Sequence, residues 1–198
     1  MLWGEKVKLA PMKVEDVKEM LHWEKHTDEL FLDYNFPMWT DAQVQRWYEG
    51  KVRGNRECFS IFDREAVLIG YIALRKVNPI LKTGEIGILL RPNALNRKFG
   101  RDAIKVFLNW AFEVKGLRKI RLLVAKYNAR AIRCYEAIGF YKRRTFYDTC
   151  FNNKIEPFHN DSYKEIRRYF QRIGRTLFVE YDQMEITGPA LRQTKRAV

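Results

Sequence analysis

At 198 residues, 46% of them hydrophobic, the chain suits one domain whose core needs neither disulfides nor metal. Cys58, Cys134 and Cys150 are odd in number and widely spaced, which excludes a disulfide framework or zinc site and reads as free thiols in a reducing compartment. The net charge of +13 attracts polyanions and argues against polycationic acceptors. Met1 to Ala10 carries Glu5, Lys6 and Lys8 and reads as no signal peptide. No apolar run approaches the roughly 20 residues of a membrane span. The expected location is cytoplasmic, with no membrane partner and no metal.

Val7 to Leu9 reads as a short strand closed by Pro11. Val14, Val17, Met20, Leu21 and Trp23 mark the buried side of an amphipathic helix over Lys13 to His26. An aromatic segment, Thr27 to Thr40, follows, and Thr40 caps a second helix over Asp41 to Lys51. Glu57 to Asp63 and Ala66 to Val77 form a hairpin around Asp63-Arg64-Glu65. Gly84 to Leu90 is the next strand, with Gly87 consistent with a local bulge or a packing accommodation. Ala103, Ile104, Phe107, Trp110 and Ala111 predict a helix over Arg101 to Glu113, and Lys119 to Lys126 a strand.

The most informative stretch is Asn128 to Phe140. Asn128 is a good N-cap, Ala131, Ile132, Tyr135 and Ile138 recur at helical spacing, and Gly139 suits the helix stop. Tyr135 lies seven residues past the cap, on the same face two turns on. A ligand along this helix meets amides first and a phenol afterwards. Strands Phe140 to Phe151 and Thr176 to Thr187 close the chain. The excursion between them, Asn152 to Gly174, is too long for a hairpin turn, and Ser162 can cap a helix of Tyr163 to Ile173 bearing Arg167, Arg168 and Arg172. Residues 1–187 read as one domain, and 188–198 as a basic tail.

The Asn128–Phe140 stretch closely resembles the acetyl-CoA-binding helix of the GNAT acyltransferases, whose element order this chain also follows. The resemblance implies an α/β (α+β) GNAT fold: a mixed sheet of about seven strands, about four flanking helices and a helical insertion before the last strand. It implies an N-acetyltransferase in which a primary amine attacks acetyl-CoA, the cosubstrate, directly in a ternary complex. In this family the strand before the cofactor loop splays from its neighbour and pairs with the pantetheine, which points to Ile88, Leu89 and Leu90. The pyrophosphate turn corresponds to Arg97, Lys98, Phe99, Gly100 and Arg101, followed by Asn128 and Ala131 on the later helix. Only Gly100 matches the family's glycine pattern, with Lys98 at a glycine position. Tyr135 is implied as general acid and Glu85 as base, while Asp33, Tyr34 and Trp39 fall in the segment bordering the acceptor.

The Gly4-Glu5-Lys6-Val7-Lys8-Leu9 opening, Gly84-Glu85-Ile86-Gly87 and Glu180-Tyr181-Asp182-Gln183-Met184 resemble the ribosomal-protein (RimJ/RimL-type) branch. The implied acceptor is a protein N-terminal α-amine or a nucleotide-linked amino sugar, with association to the ribosome or another polyanion. The alternative is a non-catalytic GNAT-fold module using its basic face on RNA or an acidic partner. The excursion is expected to serve acceptor recognition or homodimerisation, or to dock on its own sheet.

Overall fold

The computed structural model describes residues 1–150, 152 and 155–188. The proposed tail beyond Gly188 lies outside them. The strands are β1 (Leu2–Trp3), β2 (Lys8–Pro11), β3 (Glu57–Phe62), β4 (Leu68–Asn78), β5 (Thr83–Leu90), β6 (Lys119–Ala125), β7 (Tyr141–Thr149), β8 (Phe170–Ile173) and β9 (Thr176–Thr187). They form one mixed sheet in the order β1-β2-β3-β4-β5-β6-β9-β7, with β8 also on β9. The helices are α1 (Val14–Met20), α2 (Asp41–Val52), α3 (Phe99–Asn109) and α4 (Ala129–Glu136). The expected fold is therefore present, with two strands more than the sequence suggested.

One pair in this sheet is parallel and incomplete. β5 and β6 pair at Thr83–Lys119, Gly84–Ile120 and Glu85–Arg121, and then part. Beyond that row β5 stays paired to β4 as far as Gly70–Leu90, and β6 to β9 as far as Ala125–Tyr181. A V-shaped opening results, bounded by Ile86–Leu90 on one side and Leu122–Ala125 on the other. The strand edges facing it carry backbone groups without a neighbouring strand.

α3 and α4 cover one face of the sheet, where Ala103, Ile104 and Phe107 meet Ile86, Ile120, Leu122 and Met184. Val17, Met20 and Val44 of the first two helices pack with Cys58, Leu68 and Ala73 on the other face. α1 ends six residues before the sequence suggested, and the aromatic segment after it contains a 3₁₀ turn, Glu29–Tyr34, capped by Asp28. Of the two alternatives at Gly87 neither is seen: the residue pairs regularly with Ala73, and a Cβ there would meet nothing within 4 Å. The irregularity lies in β4 between Arg75 and Asn78, where Lys76 takes a left-handed φ of 50°.

The excursion differs most from expectation. Tyr163, Ile166, Phe170 and Ile173 mimic helical spacing, yet only 3₁₀ turns form, at Asp161–Tyr163 and Arg167–Tyr169. The chain then extends into β8, and Gly174, with φ of 59°, opens the two-residue turn into β9. β8 occupies the edge of β9 that β6 leaves free past Tyr181. Ile155, Tyr163 and Phe170 join Ala125, Cys150, Leu177 and Val179 in a third small core. The stripe was apolar because it feeds this core, with Ile173 left 66% exposed at the turn.

Candidate active site

The loop before α3 is shaped by two left-handed residues, Asn96 (φ 61°) and Lys98 (φ 67°). Lys98 is the residue before the helix, where its backbone conformation is one that glycine adopts without strain. The sequence departure from glycine therefore costs roughly 1–2 kcal/mol in backbone energy. The first amides of the eleven-residue α3 follow directly and have no intrahelical acceptor. Gly100 has a packing role, since a Cβ there would lie 3.3 Å from Leu90 Cδ1. Phe99 is buried in the core, and the Arg97 guanidinium lies 4.7 Å over its ring.

Arg101 bridges α3 to the end of α4, donating to the Ala137 carbonyl at 3.0 Å. Its Nε, like that of Arg91 at the start of the loop, is buried without a hydrogen-bond partner. Asp102 serves a different end: its carboxylate accepts from the amides of Glu5, Lys6 and Val7 at 3.3, 2.7 and 3.1 Å. A Cβ at Gly4 would overlap that carboxylate. The opening motif is thus a clasp onto the start of α3.

Asn128 caps α4 by accepting from the Ala131 amide at 3.1 Å, which commits that amide to the protein. Tyr135 packs against Phe140, with ring centroids 5.9 Å apart. Its hydroxyl has no hydrogen-bond partner among the described residues. Burial, followed by neighbouring Tyr34 and Cys134, raises its pKa, so the phenol keeps its proton through neutral and mildly alkaline pH.

Tyr34 connects this helix to the aromatic segment after α1. It lies in electrostatic reach of Tyr71, Tyr127, Tyr135 and Tyr181. Phe31 stacks on Tyr34 and meets Tyr127 edge-on, at 5.9 Å in each case. The Tyr127 hydroxyl donates to the Leu30 carbonyl at 3.1 Å. Asp33 is exposed and without a hydrogen bond or ion pair among the described residues; desolvation raises its pKa. His26 borders a small cavity with Tyr34, Leu89, Leu90 and Arg91. Burial and then Arg130 lower its pKa, leaving it neutral at pH 7. No motif in the sequence marks His26, because its ring neighbours Phe31 and Tyr34 are assembled by the 3₁₀ turn.

Two expected site residues are otherwise employed. Glu85 is 6% exposed, with Arg75 Nε 2.8 Å from one oxygen and Lys76 Nζ 3.1 Å from the other. Both carboxylate oxygens are thereby engaged within the protein, and Glu85 ties β4 to the last row before the splay. Trp39 packs edge-on to Phe36 at 5.6 Å and tilted to Trp47 at 5.9 Å, inside the α1–α2 core. The basic face expected of the excursion is also largely consumed. Arg167 bonds Pro157, Asn160 and Asp161, and Arg172 pairs with Glu156. That removes most of the motive for an RNA-binding reading.

The features fit acyl-CoA: open strand edges beside Ile88–Leu90, an amide-rich helix start with Lys98, and a phenol without a protein partner. Among the described residues no helix is long and apolar enough to cross a membrane, and no acidic, His or Cys cluster could hold a metal.

Residues 6–141 match the family model of the acetyltransferase (GNAT) domain. Spermidine N(1)-acetyltransferase of Vibrio cholerae is 28% identical over 129 residues, 65% of this chain and 70% of the relative. The Escherichia coli enzyme of the same name is 22% identical over 134 residues, 68% and 72% of the two chains. The structure of Vibrio cholerae spermidine N-acetyltransferase with CoA and spermine superposes with a TM-score of 0.70 at 20% identity. That superposition covers 94% of this chain and 98% of the other. These relatives support the family and not specifically the ribosomal-protein branch that the sequence motifs suggested. The chain belongs to the GNAT acetyltransferase family and is an acetyl-CoA-dependent N-acetyltransferase.

Proposed function

We propose that the acceptor is an aliphatic polyamine of the spermidine class. One observation carries this reading. Glu24, Asp28, Glu29 and Asp33 lie within ten residues beside a single lysine, in a chain with 37 lysines and arginines. None of the four makes an ion pair among the described residues. Asp28 caps the 3₁₀ turn, Glu24 accepts from Asn93 at 2.6 Å, and Tyr163 donates to Glu29 at 3.3 Å. Left without basic partners, these carboxylates suit a ligand with several ammonium groups, and the rings of Phe31, Tyr34 and Tyr127 suit its cationic stem. The spermidine-acetylating relatives support the same acceptor class. The global field still opposes a polycation, but exposed charges beyond a Debye length of about 8 Å are largely screened at physiological salt.

Acetyl-CoA supplies, when bound, the activated acetyl thioester. Ile88, Leu89 and Leu90 offer their open backbone edge to the pantetheine, and the start of α3 with Arg97, Lys98 and Arg101 receives the phosphates. Asp33 anchors a protonated amine of the acceptor while Tyr34 orients the chain. Neutral His26 accepts the proton of the attacking amine, directly or through water, in place of Glu85. Tyr135 then donates its hydroxyl proton to the departing sulfur and is reprotonated through solvent, which takes up in turn the proton that His26 accepted. The insertion supports this arrangement from behind. Tyr163 reaches Asp28 and Glu29, and Asn152 donates to the Glu29 carbonyl at 3.1 Å.

Two results are expected. In an acetylation panel, spermidine and spermine should be turned over with kcat/KM at least about tenfold above an N-terminal peptide or a nucleotide-linked amino sugar. An amino sugar or peptide as the preferred acceptor would overturn the polyamine reading. For the cofactor, Lys98→Glu should weaken acetyl-CoA binding by roughly tenfold, about 1.4 kcal/mol, by isothermal titration. Lys98→Gly should bind comparably to the parent and melt at a higher temperature, because the left-handed strain is relieved.

A further inference from the structure

The face of the sheet opposite α3 and α4, beyond the part that α1 and α2 cover, carries on β6, β9 and β7 a cluster unrelated to acetyl transfer. Lys119 and Arg121 alternate along β6, and Gln183 and Glu185 along β9, so all four share one face. Their intervening neighbours Ile120 and Met184 point into the core. β7 adds two more cations by an unusual route. Lys142 pairs with Met184 and Arg144 with Gln183, leaving Arg143 as an extra, unpaired residue. In a regular strand adjacent side chains take opposite faces; this bulge lets Arg143 and Arg144 line the same cleft. The cleft measures about 340 Å³ and is bounded by Lys119, Arg121, Arg143, Arg144, Gln183 and Glu185.

The charges in this cleft are unbalanced. Four cations face one carboxylate, Glu185, which is 3% exposed and takes the Tyr141 hydroxyl at 2.7 Å and Lys119 at 3.2 Å. Arg121 Nε is 3.5 Å from Glu185, close enough for an ion pair, yet it is buried without a hydrogen-bond partner. Arg144 spends its Nε on Gln183 at 3.0 Å. Arg143 has neither a hydrogen bond nor an ion pair among the described residues. Guanidinium donors remain in excess after every partner in the cleft is used, and they converge from two strands, β6 and β7.

We propose that this cleft is a second ligand site, selective for a compact oligophosphate group. Fork-shaped guanidiniums bind phosphate oxygens in pairs, and a ligand with several charges close together neutralises all four cations at once. No aromatic side chain is among the residues bounding the cleft, which Tyr141 reaches through its hydroxyl on Glu185, and this favours a compact anion over an extended single-stranded nucleic acid.

The test is isothermal titration of tripolyphosphate into the full-length protein at saturating CoA, which keeps the cofactor cradle filled. The parent should show one site. Arg143→Ala should weaken it by roughly tenfold, and the Arg143→Ala, Arg144→Ala pair further. Arg143 makes no structural bond, so its single variant should keep the parent melting temperature. Lys164→Ala, which removes an exposed charge that does not line the cleft, should bind like the parent. No binding by the parent, undiminished binding by both arginine variants, or equal weakening by Lys164→Ala would overturn the proposal. So would a single-stranded oligonucleotide that occupies the cleft and is not displaced by tripolyphosphate.

Discussion

Tyr135→Phe should lower kcat by roughly 100-fold, about 2.7 kcal/mol, while leaving acetyl-CoA affinity within about twofold. The substitution keeps the ring against Phe140 and removes only the hydroxyl. That hydroxyl makes no hydrogen bond within the described protein, so its loss breaks no native bond and the melting temperature should hold. Its raised pKa adds a second signature. A phenol that stays protonated through mildly alkaline pH puts no falling limb into the parent's kcat profile below about pH 10. Single-turnover measurement isolates the chemical step. A variant with the parent's single-turnover rate would make Tyr135 a packing residue.

Asp33→Asn should raise KM for spermidine by roughly 10- to 100-fold, the range of a hydrogen bond to a charged group, with a much smaller change in kcat. The segregation of effects follows from position. Asp33 sits on the 3₁₀ turn, on the proposed acceptor side, whereas α3 and α4 form the proposed cofactor side. The parent's KM should also rise on acidification, beginning at higher pH than for an ordinary aspartate, because desolvation raises this carboxyl's pKa and protonation removes its charge. The Asn variant should lose that acid limb. An unchanged KM in the variant would locate amine recognition elsewhere.

Much of this was legible in the sequence because it is local. Asn128, Tyr135 and Gly139 fix cap, face and stop within one short helix, and the alternation of β3, β4 and β9 survives in their residues. Contacts across long separations were not legible. Glu85 looked like a free strand carboxylate, because its capture by Arg75 and Lys76 depends on the β4–β5 register and the irregularity at Lys76. The excursion showed helical spacing, but its apolar residues were satisfied by a satellite core and β8 by a free edge of β9. Gly174-Arg175 between extended residues was the available hairpin signal. The acidic run from Glu24 to Asp33 was also visible, and the +13 net charge obscured it because a sum over the chain says nothing of local sign.

The most direct measurement is a crystal structure of the protein with CoA and spermidine. Pantetheine is expected along Ile88–Leu90 in the opening between β5 and β6, phosphates over the start of α3, the thiol within hydrogen-bond reach of Tyr135, and an ammonium on Asp33. A cofactor bound outside that opening, or a thiol facing away from the Tyr135 hydroxyl, would contradict this placement.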